Sequence, residues 1–279
     1  MTCHTLKTLS DHDLIKLRDI YEKHLPYATH VYNLISTYMK WKKLKDGGNY
    51  MKFLSLSDDW STTGTFIMQF SCYDIFVCTL QKSGADLYKA LTDTRILDVD
   101  GRVVLYGILN DHYPTVLKSL IYKNITKFHT IEMMLYYLPK EKALSITVVC
   151  PDNVYVDKLH QQHIPTITAI WPHRFDGAEH YLSIFLEMNG GYGVFLKEDD
   201  KLVAWVMRNH WGTMINLQTL PEYKRMGFGH LIVSVMAKHI AEDGQSPMAT
   251  IVMGNFASEM LFQKLGFRHL NSLKFVTLE

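Results

Sequence analysis

The stretch "TLPEYKRMGFGHLIVSVMAKHI", Thr219–Ile240, decides how this chain is read. Two glycines, Gly227 and Gly229, follow two cations, Lys224 and Arg225. They open a segment in which Phe228, Leu231, Ile232, Val235, Met236 and Ile240 recur at helical spacing, closed by Gly244. Glycine at a helix start lets the backbone approach a ligand with no Cβ in the way. The free amides of a first helical turn, together with the positive end of the helix dipole, suit an anion such as phosphate. For an isolated G-x-G the simpler reading is a tight turn into an ordinary helix, so the rest of the chain has to decide.

Two phosphate motifs are excluded at once. A dinucleotide fingerprint wants a third glycine and an acidic residue about twenty positions on, and neither is present. A Walker loop wants Gly-Lys-Ser/Thr, which does not follow. The element order around the motif also differs from an alternating doubly wound pattern. Strand-forming residues in "SITVVCPDNVYV" are interrupted at Pro151 and Asp152. "HQQHIPTITAIWPH" contains a helix near its end, and "AEHYLSIFLEMNGG" is a helix stopped by Gly190–Gly191. "YGVFLKEDDKLVAWVMR" reads as a hairpin, "TMINLQT" as the next strand, then the glycine turn and its helix. "MATIVM" is a strand, "NFASEMLFQKLG" a short helix and "LKFVTLE" a last strand. What remains is a phosphate-cradling turn in a mixed sheet.

The N-terminal half is also mixed. Leu14, Leu17, Ile20 and Tyr21 recur at helical spacing, a second helix runs through "HVYNLISTYMKWKK", and "DGGN" at 46–49 breaks it. Strands are expected in "GTFIMQF", "YDIFVCTL", "RVVLYGIL" and "HTIEMMLYYLP", with helices near "GADLYKALTD" and "YPTVLKSLIYKN". No catalytic motif lies in this half.

Bulk properties bound the function. The 279 residues are 47% apolar and 20% charged, a globular composition holding one large domain or two small ones. Lys+Arg and Asp+Glu number 29 and 28, so no global field points to nucleic acid or a membrane surface, and any anion site is local. No apolar run approaches a bilayer span. The start, with Asp11, Asp13 and Asp19, has neither the apolar core of a secretory signal nor the acid-poor character of a transit peptide. Cys3, Cys72, Cys78 and Cys150 form no C-x-x-C pair and fit reduced thiols in an intracellular protein, Cys72 and Cys78 being expected as buried and inert. His160 and His163 in "LHQQHIP" match no zinc motif, and no metal is expected.

At this point the residues resemble a known family. "LQTLPEYKRMGFGHLIV" followed by "NFASEMLFQKLGFRHL" looks like the two central motifs of the GCN5-related N-acetyltransferase superfamily (GNAT). Within it the glycine N-acyltransferase-like group is most similar, through its T-L-P-E-Y-(R/K)-R run and the spacing to "WGTM" and "LVAWVM". "HLPYATHVYNLI" extends the likeness into the N-terminal half. The resemblance implies a mixed α/β (α+β) GNAT acyl-CoA N-acyltransferase fold in two tandem lobes: a degenerate N-terminal lobe, residues 1–143, and an acyl-CoA-binding lobe, residues 144–279.

It also implies acetyl-CoA or another acyl-CoA as co-substrate and a small-molecule amine or amino-acid acceptor. Pyrophosphate is expected on the amides of Arg225, Met226, Gly227, Phe228, Gly229 and His230, with Lys224 facing phosphate where the superfamily has Arg or Gln. A solvated charge pair is the plain alternative for Lys224 and Arg225. Leu217, Gln218 and Thr219 are expected to offer backbone groups to the pantetheine arm, which resembles an extended peptide. Asn255, with Ser258 and Phe262 of the same helix, falls near that arm; an ordinary helix N-cap is an equal reading of Asn255, and both can hold.

The catalytic side chains depart from the family. The tyrosine that protonates the leaving thiolate falls at Phe262, and the glutamate proposed as general base falls at Thr213. His210 is the substitute base by chemistry, against a plain structural histidine, with Glu179 and Glu187 as further candidates. Two functions follow: an acyl-CoA-dependent N-acyltransferase, or a catalytically weak acyl-CoA-binding sensor or scaffold. A cytoplasmic location is expected, with mitochondria the alternative that the resemblance brings.

Overall fold

The computed structural model describes residues 6–56, 59–71, 73–98 and 101–279. The chain divides into two compact units, one made of the chain up to Met134 together with Leu270–Glu279, the other of Leu135–His269. The first unit holds β1 (Lys7–Thr8), α1 (Asp11–Glu22), α2 (Thr29–Trp41), β2 (Met51–Ser55), the short α3 (Trp60–Thr63), β3 (Phe66–Phe70), β4 (Asp74–Cys78), α4 (Ala85–Thr92), β5 (Val103–Leu109), α5 (Tyr113–Tyr122) and most of β6 (Phe128–Tyr137). The second holds α6 (Lys140–Leu144), β7 (Val154–Lys158), α7 (Ile164–Ala169), α8 (Ala178–Asn189), β8 (Gly191–Leu196), β9 (Leu202–Arg208), β10 (Thr213–Thr219), α9 (Phe228–Glu242), β11 (Met248–Val252) and α10 (Phe256–Lys264). The last strand, β12 (Arg268–Leu278), begins at the end of the second unit and lies mostly in the first.

Apart from α3 and α6, residues 7–137 and 154–278 run through the same succession in chain order: strand, two helices, three strands, helix, strand, helix, strand. Their pairings also match. In the first, β1–β2, β2–β3 and β3–β4 are antiparallel and β4–β5 parallel. In the second, β7–β8, β8–β9 and β9–β10 are antiparallel and β10–β11 parallel. A parallel pair cannot be joined by a tight turn, so a helix crosses between its strands, α4 in one unit and α9 in the other.

Local chemistry accounts for the elements. Ser10 caps α1 through a reciprocal box with Asp13, which sends Leu14, Leu17 and Tyr21 into the core. The β8–β9 hairpin turns at Asp200, whose φ is 57°, with the Asp199 carboxylate accepting from the Lys201 amide at 3.1 Å. At the end of α9, Gly244 takes φ 87° and the Gln245 amide donates to the Ile240 carbonyl at 3.2 Å, stopping the helix.

Three local expectations shift. Residues 145–153 carry no strand, and β7 covers only Val154–Lys158. The helix of "HQQHIPTITAIWPH" lies in its middle, Ile164–Ala169, with Pro165 in its first turn. Cys78 is buried and Cys150 exposed, both as free thiols, while Cys3 and Cys72 lie outside the described residues.

The division between the units differs from the expected boundary near residue 143. It falls after Met134, and Leu270–Glu279 belong with the first unit. The reason is in β12, which pairs antiparallel with β5, Leu273 opposite Leu109 and Leu278 opposite Val103. Val276 and Leu278 complete an apolar cluster with Leu105, Val103 and Ile75 of the first unit. Burial of that face, rather than order along the chain, places the strand.

Leu273→Ala removes a side chain with no exposure at all. It is expected to cost about 2–5 kcal/mol, and to show as faster amide hydrogen exchange in β5 of the N-terminal unit. Exchange accelerated in β7–β9 with β5 unaffected would contradict the placement of β12.

Candidate functional site

The site is built where β10 leaves its neighbour. β10 pairs with β11 at Thr213↔Met248 and Met214↔Ala249, and runs on to Thr219 without further pairing on that side. Its other edge stays bonded to β9, but irregularly. From Ile215 to Gln218 β10 advances three residues while β9 advances two, Met207 to Trp205, which is a bulge. Asn216 inside it takes φ 52°. The edge of β10 from Ile215 to Thr219 therefore has no partner in β11, and Leu217, Gln218 and Thr219 lie along it.

Beyond Thr219 the chain makes a single turn, Pro221–Tyr223, and then the glycine segment. Arg225 has φ 66° and Gly227 φ 85°, two left-handed residues separated by Met226. A left-handed arginine is strained by roughly 1–2 kcal/mol, and strain of this kind is kept where the backbone has a task. Gly227 is the N-cap of the fifteen-residue α9; no side chain caps that end and no acidic residue lies in its first turn. The amides of Phe228, Gly229 and His230 have no intrahelical partner by the geometry of a helix start. A Cβ on Gly227 would meet nothing within 4 Å. A Cβ on Gly229 would lie 3.0 Å from Leu261 Cδ1 and 3.8 Å from Thr219 Oγ1, so this glycine also lets α10 pack against α9. Lys224, Arg225 and Met226 are exposed around this open amide group.

The same turn in the first unit is filled by its own side chains. After β4, the Gln81 carboxamide accepts from the Asp86 amide at 2.9 Å and the Ser83 hydroxyl from the Ala85 amide at 3.4 Å. Asp86 adds a negative charge in the first turn of α4, and a Cβ on Gly84 would sit 2.8 Å from Thr115 Oγ1. An anion there would meet satisfied amides and a carboxylate.

The remaining expected residues fall into two groups. Asn255 caps α10, its Oδ1 accepting from the Ser258 amide at 3.2 Å, which is the plain capping reading. Phe262 is core, 3% exposed and edge-on to Phe267 at 5.1 Å. His210 and Thr213 stand at the opposite end of β10 from the turn, about 20 Å away along an extended strand. Glu179 and Glu187 are exposed on α8. His163 Nδ1 accepts from the His160 amide at 2.9 Å, so this pair closes a turn.

His210 is a correction to expectation. It is fully buried, stacked on Phe185 with ring centroids 5.4 Å apart. Burial lowers its pKa from 6.5 to about 3, so it is neutral at physiological pH and a poor proton acceptor. Its loop is held rigidly: Asn189 Nδ2 donates to the Arg208 and Asn209 carbonyls at 3.1 and 2.7 Å, and Asn209 Oδ1 accepts from the Trp211 and Thr213 amides at 3.2 and 3.0 Å. Arg208, also buried, bonds the Asp243 carboxylate at 3.0 Å and the Gln245 side chain, tying β9 to the end of α9. Asn189, Asn209 and Arg208 were not singled out in the sequence; their signal is only that polar residues interrupt apolar runs.

The fold is that of GCN5-related N-acetyltransferases, in two tandem lobes. Residues 191–276 match the family model of FR47-like proteins, and residues 5–119 match a domain of unknown function, DUF5645. No curated protein matches the chain. A Drosophila protein of known structure superposes with TM-score 0.90 at 21% identity, covering 98% of both chains. A tandem GNAT protein from the clavulanic acid biosynthesis pathway superposes with TM-score 0.57 at 10% identity, covering 99% of this chain and 98% of its own. A GCN5-related N-acetyltransferase from Sphaerobacter thermophilus gives TM-score 0.54 at 8% identity, over 98% and 94% of the two chains.

The buried histidine has a consequence for stability. With its folded pKa below the ordinary value, the unfolded chain binds the proton first, so stability is complete above pH 6.5 and declines as pH falls toward about 3. His30 of the first unit, lowered to about 4 by burial, acts in the same direction. Between pH 7 and 5, His210→Gln is expected to remove about 2 kcal/mol of the stability loss of its unit, measured by urea unfolding at both values. An identical loss in the variant would show that His210 is not buried in its neutral form.

Proposed function

We propose that the chain is an acyl-CoA-dependent N-acyltransferase of the glycine N-acyltransferase-like kind, moving an acyl group from coenzyme A to a small amine or amino acid, in the cytoplasm or in mitochondria. The observation that carries this reading is the uncapped start of α9, set directly after a strand that has parted from its parallel neighbour. The residues fit the ligand. The amides of Arg225 to His230, flanked by Lys224 and Arg225, suit pyrophosphate, and the free edge of β10 suits the amide-bearing arm. The bound thioester supplies an activated acyl carbon and a thiolate leaving group. The family match over residues 191–276 and the tandem fold support the assignment.

The chain's own contribution is positioning. β10, TMINLQT, and β11, MATIV, contain no Asp, Glu, His, Lys or Tyr, so the parted strands themselves carry no general base or acid. Phe262, buried in the core, cannot donate a proton. The acceptor amine therefore attacks in its neutral form. An unpaired backbone amide of β10 stabilises the oxyanion, and a thiolate with an ordinary pKa near ~8.5 leaves unassisted. The second reading, a binding protein without turnover, is favoured by the same missing base; it retains coenzyme A binding and predicts no thiol release.

Coenzyme A is expected to raise the melting temperature of the protein by several degrees at about 100 Kd. Combined Lys224→Glu and Arg225→Glu should weaken binding by at least ~10-fold without lowering the unliganded melting temperature, since both side chains are exposed. Unchanged melting of the wild type at millimolar coenzyme A would end the cofactor reading. With an acceptor amine present, the rate of thiol release should climb with pH toward the acceptor's own pKa, in the wild type and in His210→Gln alike. A plateau above pH 6.5 that disappears in His210→Gln would restore the histidine as base.

A further inference from the structure

The charges of the chain balance, but they are not evenly spread. In the first unit Lys40, Lys42, Lys43 and Lys45 fall within the short run "KWKKLK", and all four are exposed. The helix dipole accounts for the first two. Lys40 lies in the last turn of α2 and Lys42 is its C-cap, where cations are favoured. Lys42 is also paired with Asp11 and lies over the Tyr38 ring. Lys43 and Lys45 lie beyond the helix, and neither forms an ion pair among the described residues. Between them Leu44 is 42% exposed.

This run is built as a fixed turn. The Lys43 amide donates to the Lys40 carbonyl at 3.1 Å, the Leu44 amide to the Trp41 carbonyl at 2.8 Å and the Gly47 amide to the Leu44 carbonyl at 3.3 Å. Trp41 has no exposure and stands edge-on to Phe70 of β3 at 6.2 Å, which anchors the turn to the sheet of the first unit. A surface already in place loses little backbone freedom when a partner arrives.

The surroundings of the lysines select the anionic partner. Single-stranded nucleic acid is held by cations together with aromatic or arginine planes on which bases stack. Here Tyr38 and Trp41 are buried, and the run contains no arginine. An anionic bilayer face calls instead for flexible ammonium groups that reach phosphates, with an apolar side chain among them to enter the acyl boundary. Lys43, Leu44 and Lys45 supply both in consecutive positions. Asp46 follows the run and Asp11 engages Lys42, so the net charge is modest and the association is weak and reversible.

We propose that the first unit docks on an anionic lipid surface through Lys40, Lys43 and Lys45, with Leu44 as the apolar contact. The proposal is independent of the acyl-transfer reading, which concerns the second unit.

Co-sedimentation of the full chain with phosphatidylcholine vesicles, with and without about 30% phosphatidylserine, tests it. Binding is expected only to the vesicles that contain phosphatidylserine, and is expected to disappear at about 0.5 M salt. Lys43→Glu combined with Lys45→Glu should weaken it at least ~10-fold. Lys82→Glu combined with Lys89→Glu makes the same change of charge at exposed lysines elsewhere in the unit, and should leave binding within about two-fold. Lys43→Gln with Lys45→Gln, which adds no acid near the helix end, should weaken binding by a smaller factor. Leu44→Ser should weaken it several-fold in vesicles while leaving retention of a single-stranded RNA unchanged. All these variants should melt like the wild type, since every altered side chain is exposed. Absence of binding to the anionic vesicles overturns the proposal. Equal weakening by both glutamate pairs overturns it too, by reducing the effect to overall charge. Tighter retention of the RNA than of the vesicles overturns it in favour of nucleic acid.

Discussion

Everything specific to the second unit depends on the parting of β10 from β11 after Met214. Parallel strands normally satisfy each other's backbone along their length, and an unpaired edge inside a sheet is costly unless something occupies it. Here the parted edge leads directly to a helix start whose amides are also free. The two unsatisfied features are continuous, a strand edge and a helix start. The closed end of the opening is held by polar bonds: Asn189 and Asn209 lock the β9–β10 loop, and buried Arg208 fastens β9 to Asp243 and Gln245. Leaving the buried Arg208 guanidinium unpaired would be costly, which fastens β9 to the end of α9.

The first unit shows how little separates an open turn from a filled one. Its strand pairing and helix order repeat those of the second unit, including the parallel pair with a crossover helix. Yet Gln81 and Ser83 bond to the first amides of α4, and Asp86 opposes an anion. The topology is shared; the availability of the first amides of the crossover helix is not. The two units therefore differ in the turn rather than in the architecture.

The chemistry follows the same separation. The side chains that could move protons are distant, buried or exposed elsewhere: His210 is neutral in the core beneath α8, Phe262 is packed on Phe267, and the strands of the opening carry no titratable group. On the function proposed above, such a site would act through the effective concentration gained by holding two reactants in line, which is worth several kcal/mol by itself.

The sequence alone determined most elements of the second unit and the glycine turn that opens α9. Apolar period, turn residues and glycine placement are local signals, and the hairpin, the α9 stripe and the Gly227 N-cap follow from them directly. The tertiary structure decided what local pattern does not encode. Whether His210 is exposed or buried, and which unit owns β12, depend on residues far away in the chain. A histidine in "RNHWG" reads as a base until Phe185 and the core remove its water, and the energy of that desolvation has no sequence signature. β12 follows α10 in the chain but buries Val276 and Leu278 against the first unit, because burying an apolar face outweighs sequence order.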